Sequence, residues 1–157
     1  LVVVLFLSLS ILLALIARIT VRTLHFFEVV FTVTVSIFFY FCYVGIASFN
    51  YGAFSASAQL GPFSCLLIMG FVTVPSVVLI AESIGLWRES LLWKMLVALC
   101  SLAVQLGMEA LAVKGKAIIY HDWSIFSSFV AWIVYLTVLH ILAQMYRNFL
   151  RVEVRLP

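Results

Sequence analysis

The chain carries nine basic side chains, six carboxylates and three histidines in 157 residues, so its ionisable chemistry is sparse and each group's position is informative. His25 and Glu28 stand three apart, which places them on one face of a helix. Glu82, Lys94 and His140 belong to three further apolar runs. With the runs aligned as membrane helices, all five groups fall at similar depth. A charge near the bilayer centre costs about 2.5 to 3.5 kcal/mol even on lenient insertion scales, so such residues face protein or water and often mark pathways. The chemistry this set supports is proton or ion transfer, with Glu28, Glu82 and His140 as the exchangeable groups. The alternative is that Glu28, Glu82 and Lys94 lie near the interface, where they snorkel or pair at little cost. Glu109 stands apart, in the outer part of the fourth run. It is expected either to pair with Lys114 or to form half of a second, outer proton or ion site.

Other chemistries find less support. Two histidines at matching depth, His25 and His140, meet the requirement of a b-type haem for facing imidazoles only if the second and fifth helices are neighbours. A di-metal carboxylate site wants two Glu-x-x-His units, and the chain offers only the reversed His25-x-x-Glu28. Cys42, Cys65 and Cys100 lie in separate runs with no CxxC or Cys/His spacing, so no metal site is expected and the thiols read as small buried hydrophobes. Gly-rich phosphate loops and nucleophile motifs are absent from the sequence, and no catalytic residues of its own are expected.

The elements that must position these groups follow from composition. The chain is 66% hydrophobic and 10% charged, with a mean hydropathy of +1.27. From Val29 to Ala81 there is no Asp, Glu, Lys or Arg. An apolar run of about 20 residues crosses the hydrocarbon layer once as a helix, so this stretch crosses twice. The reading is an all-α polytopic membrane bundle, a single domain over 1–157, with five helices at about 1–17, 26–49, 62–81, 91–113 and 123–146. The uncharged first run is read as a spanning helix of a processed or truncated chain, because Arg18 follows it where a signal peptide would carry a small-residue cleavage site. Asn50-Tyr51-Gly52, Gly61-Pro62, Gly85 with Arg88-Glu89, Lys114-Gly115-Lys116 and His121-Asp122 mark the breaks.

Basic residues favour the untranslocated side. Arg18, Arg22, Arg88, Lys94, Arg147, Arg151 and Arg155 then fall inside, and Lys114 and Lys116 outside. The formal charge of +3 is therefore a topology signal and not a nucleic-acid surface. Trp87, Trp93 and Trp123 fall at helix ends, where an indole N–H can meet headgroups, whereas Trp132 lies deeper and needs a partner. Ala103, Gly107 and Ala110, at i, i+4 and i+7, form a small-residue stripe expected to admit another helix, of this chain or of a partner. Pro75 removes an amide from the middle of the third helix and should kink it.

Two families share features with the chain. Gln105-x-Gly107-Met108-Glu109, followed by Asp122-Trp123-Ser124-x-Phe126-Ser127 and Trp132, resembles the eighth and ninth membrane segments of the lipid-flipping P-type ATPases, over about a quarter of the chain. That resemblance implies a transport-domain fragment or a degenerate relative. Leu60-Gly61 before an apolar helix and Tyr120-x-Asp122 before the last one resemble membrane subunit six of the proton-pumping NADH dehydrogenase, which also has five helices. Thr73-Val74-Pro75-Ser76 stands where that family has a glycine-bearing run. The expected function is a non-catalytic integral membrane subunit of a larger, energy-transducing complex of respiratory type, aiding assembly or lining a proton or water path. The competing class is a small transporter or channel. Expected partners are the bilayer with bound lipids and other membrane subunits, and the mitochondrial inner membrane or a bacterial energy-transducing membrane would suit such a complex.

Overall fold

Stretches such as Val29 to Phe41 are rich in β-branched and aromatic residues and would favour strands in water. In lipid only a helix closes its backbone hydrogen bonds within one segment, and that constraint overrides propensity. The computed structural model describes residues 2–88, 90–121 and 123–153. Among them, α1 is Val2–Thr20, followed by a tight turn at Val21–Thr23, and α2 is Phe26–Gly45, whose end widens over Ile46–Asn50. A short β1, Phe54–Ala56, precedes α3, Leu60–Ile68, and α4, Val74–Gly85, joined by a wide turn at Met69–Thr73. Then come α5, Leu91–Lys114, β2, Ile118–Tyr120, and α6, Ile125–Glu153. Five helical spans among the described residues are long and apolar enough to cross a membrane, α3 to α4 counting as one. The architecture is that of a multi-pass, all-α membrane protein.

The third span, Leu60–Gly85, is the central one. In its most apolar window 61% of residues are buried, against 33% or less in the other four spans. Its α4 half packs against α1, α2, α5 and α6. Pro75 is absorbed without a sharp break: the wide turn just before it carries hydrogen bonds one residue longer, from Val74 N–H to the Met69 carbonyl. That extra residue relieves the clash a proline ring makes with the preceding turn. Gly70 lies in the same turn, where a Cβ would stand 2.6 Å from the Tyr40 ring and 2.9 Å from that of Phe41. This is the close helix approach of the bundle.

The small-residue stripe behaves otherwise. Ala103, Gly107 and Ala110 are exposed, and a Cβ on Gly107 would meet nothing within 4 Å. No described helix of this chain packs on it, which leaves that face open to a helix of a partner. α5 instead buries Ser101, Leu102, Gln105, Met108, Glu109 and Ala112. Turning Gln105 and Glu109 into lipid costs more than leaving two alanines and a glycine unpacked, so the polar side chains set the rotation of the helix.

The loops between the second and third spans and between the fourth and fifth meet at one end. There β1 and β2 pair antiparallel, Phe54 with Tyr120 and Ala56 with Ile118. This end carries Lys114 and Lys116, whereas Arg18, Arg22, Arg88, Lys94, Arg147 and Arg151 gather at the other, here called the basic end. The third span starts two residues earlier than expected and runs on to Gly85, and α6 continues to Glu153. Leu1, Glu89, Asp122 and Arg155, used in the sequence reading, lie outside the described residues.

Candidate functional site

At the basic end, the buried face of α2 reads Glu28, Thr32, Ser36 and Tyr40, a strict i, i+4 repeat that carries the one carboxylate of the helix inward. His25 caps this helix, its Nδ1 accepting from the Phe27 N–H at 3.4 Å. Glu82 lies with Ser83 at the end of the buried stripe of α4. On α6, His140, Gln144 and Arg147 follow at i, i+4 and i+7, and so share one face. A stack of Phe31 on Tyr146, 4.1 Å between centroids and 5° from parallel, holds α2 to α6 beside them.

The side chains of three helices then close into one network. His140 Nδ1 lies 2.6 Å from Glu82 Oε1. The Arg147 guanidinium donates from Nε to Glu28 Oε1 at 3.3 Å and from its terminal nitrogen to Glu82 Oε2 at 3.4 Å. Gln144 Nε2 lies 2.6 Å from His140 Nε2. Those partners assign the tautomer: Nδ1–H donates to the carboxylate and Nε2 accepts from the amide. A second proton on the ring would require the Gln144 amide to turn its oxygen toward Nε2. The network opens on a cavity of about 340 Å³ between α4, α5 and α6, whose lining includes Glu82, His140, Arg147 and Lys94.

Glu28, Glu82 and His140 are thus brought together, through Arg147. Lys94 shares the cavity with no carboxylate within 4.0 Å among the described residues. His25 is not part of the group. It does not line the cavity, and both ring nitrogens of His140 are engaged by protein, so the two imidazoles do not face one another although α2 and α6 are in contact. The residues missed from the sequence are Arg147 and Gln144. In the sequence Arg147 serves as a topology marker, and its i, i+7 spacing from His140 is the signal that it faces inward.

Glu109 sits at the opposite end, and its expected pairing with Lys114 does not form. Tyr120 O–H donates to Glu109 Oε1 at 2.5 Å, Ser128 O–H donates to the same oxygen at 2.7 Å, and Trp132 Nε1–H donates to Oε2. Trp123 Nε1–H in turn donates to Ser128 Oγ at 2.7 Å. The carboxylate is buried among fixed neutral donors, which a flexible exposed lysine replaces poorly. Burial, and then the hydrogen bond to Glu109, push the Tyr120 phenol above the usual tyrosine range. This answers the requirement of Trp132 for a partner. One turn along the same face, Gln105 is fully buried, and neither its oxygen nor its nitrogen has a partner among the described residues.

Comparison with protein families, curated proteins and solved structures finds no match to this chain.

Proposed function

We propose that the chain is a non-catalytic component of a larger energy-transducing membrane assembly, in which the Glu82–His140 pair exchanges protons with the aqueous side at the basic end. The observation that carries this reading is the network itself: four ionisable groups from three helices, joined within spanning segments and open to a cavity. An imidazole is the side chain whose charge changes nearest neutral pH. Once Nε2 takes a second proton, with the Gln144 amide oxygen turned toward it, the imidazolium can pass its Nδ1 proton to the buried Glu82 carboxylate without moving the backbone. Arg147 holds both Glu28 and Glu82 and keeps the receiving carboxylate oriented. Glu109 has no part in the transfer, because its donors are neutral and it shares no partner with this network. The broad apolar faces of α1, α5 and α6 leave room for lipid and neighbouring subunits alike. The cavity equally favours a small transporter acting alone, and sizing of the extracted protein separates the two.

Mild detergent extraction is expected to return the chain together with other membrane polypeptides. In that assembly, Glu82→Gln and His140→Phe should each change the pH dependence of proton movement, read with a pH-sensitive dye in sealed vesicles, while leaving the assembly intact. Wild-type pH profiles in both variants would refute the exchange role. A small homogeneous particle would refute the subunit role and leave the transporter.

A further inference from the structure

The cavity at the basic end has a second property that proton exchange does not use. Among the described residues its lining contains Arg88, Lys94, Arg147 and Arg151 against the single carboxylate Glu82. Arg147 is already held by Glu28 and Glu82. Arg88, Lys94 and Arg151 have no carboxylate within 4.0 Å among the described residues. Three like charges from the α4–α5 turn, the start of α5 and the end of α6 therefore converge on one opening. The Arg88 guanidinium is fixed over the Trp93 ring at 5.4 Å, and Trp93 is itself tethered by its indole N–H to the Ile84 carbonyl at 3.0 Å. Gathering cations in this way is unfavourable unless an anion joins them.

Beside the polar Ser101, His140 and Gln144, the lining has an apolar wall from the same three helices: Val78 and Ala81 on α4, Val97 and Ala98 on α5, Leu136 on α6. The opening thus suits a negative head, and the interior suits a hydrocarbon tail. We infer that this cavity binds a phosphate-bearing anion through Arg88, Lys94 and Arg151, the phosphate being the headgroup of an anionic lipid whose acyl chain lies along the apolar wall. Basic pockets between membrane helices at the cytoplasmic side recognise lipid headgroups by this combination. A volume of about 340 Å³ accommodates a phosphate and its glycerol ester but not a whole acyl chain, so the hydrocarbon runs along the apolar wall and out into the bilayer. The site stands independently of proton exchange, since it uses cations that pair with neither Glu82 nor Glu28.

The test uses the full chain in nonionic detergent, titrated with phosphatidic acid or phosphatidylcholine, with bound lipid counted by native mass spectrometry. A single saturable phosphatidic acid adduct is expected, formed in preference to phosphatidylcholine. Lys94→Gln and Arg151→Gln should each weaken it about fivefold, and the double variant about twenty-five-fold, following the usual contribution of one basic residue near a charged headgroup. Lys114→Gln and Lys116→Gln at the opposite end should leave it unchanged. Inorganic phosphate that displaces the adduct at equal concentration would support the site but assign it to free phosphate, whereas an adduct that survives the competition supports the lipid. Equal retention of both lipids, or unchanged binding in the Lys94→Gln and Arg151→Gln double variant, would overturn the inference.

Discussion

Arg147→Met removes the one side chain that, among the described residues, joins Glu28 to Glu82. The side chains of Arg147, Glu28 and Glu82 are 12%, 11% and 5% exposed, so the ion pairs are screened by protein and not by water. Breaking a buried pair by deleting one partner costs about 3 to 5 kcal/mol, because an uncompensated charge is left behind. Two features move the expectation to the lower end of that range. The contacts, at 3.3 and 3.4 Å, are longer than an optimal charge-assisted hydrogen bond, and Glu82 keeps His140 as a second partner. Glu28 keeps none among the described residues. The expected loss for Arg147→Met is therefore about 3 kcal/mol, most of it from Glu28. Arg147→Lys retains the charge but not the fork that reaches two carboxylates, and should lose about 1 to 2 kcal/mol.

A mutant cycle separates this from simple loss of packing. Adding Glu28→Gln to Arg147→Met neutralises the orphaned carboxylate and should recover more than half of the loss, whereas unrelated damage would add. Unfolding in mixed micelles, followed by tryptophan fluorescence, measures each corner. The reasoning fails if Arg147→Met stays within about 0.5 kcal/mol of the parent. It fails equally if the double variant is no more stable than Arg147→Met alone.

Two other substitutions test the packing and the strand end. Gly70→Ala drives a Cβ into the Tyr40 ring and should cost about 1 to 3 kcal/mol, whereas Gly107→Ala meets open space and should be neutral or stabilise the helix by up to about 1 kcal/mol; the reverse order in thermal unfolding would show the interface to be misplaced. Tyr120 has a raised folded-state pKa, so its proton stabilises the fold fully below the ordinary tyrosine value near 10, and that contribution is lost as pH rises through the folded value. Tyr120→Phe should therefore flatten the alkaline fall in stability relative to the parent, and superimposable alkaline profiles would sink this account.

Much of the bundle was legible because lipid permits few solutions. Length and hydropathy locate five spans, and the absence of charge from Val29 to Ala81 leaves helices as the way to satisfy the backbone. Helix ends were less legible, since α6 runs on past its apolar stretch through Arg147-Asn148-Phe149-Leu150-Arg151 to Glu153. The β1–β2 pair escaped notice because three-residue strands carry no periodic signal. Rotation was the weakest point. Small residues at i, i+4 and i+7 on α5 suit close approach by a helix of this chain or of a partner, but within this chain Gln105 and Glu109 on the other face decide which side turns inward. Glu28, Glu82 and His140 were identifiable from depth alone. That Arg147 joins them depends on how α2, α4 and α6 pack, and no single helix encodes that.

The two ends of the bundle solve the same problem in opposite ways. A carboxylate at membrane depth must be compensated, either by cations or by enough hydrogen bonds. Glu109 takes the second route: indole, hydroxyl and phenol donors converge on it, each fixed by its own packing, and none of them changes charge near neutral pH. Such a cage is suited to locking α5, β2 and α6 together. Glu28 and Glu82 take the first route, with an arginine shared between them and a histidine whose second nitrogen faces an amide able to present either nitrogen or oxygen. Here a proton can arrive or leave without orphaning a buried group, because Gln144 answers either state of the ring. That difference in kind of partner, more than any difference in depth, is why the proposed exchange is assigned to the basic end and the structural role to Glu109.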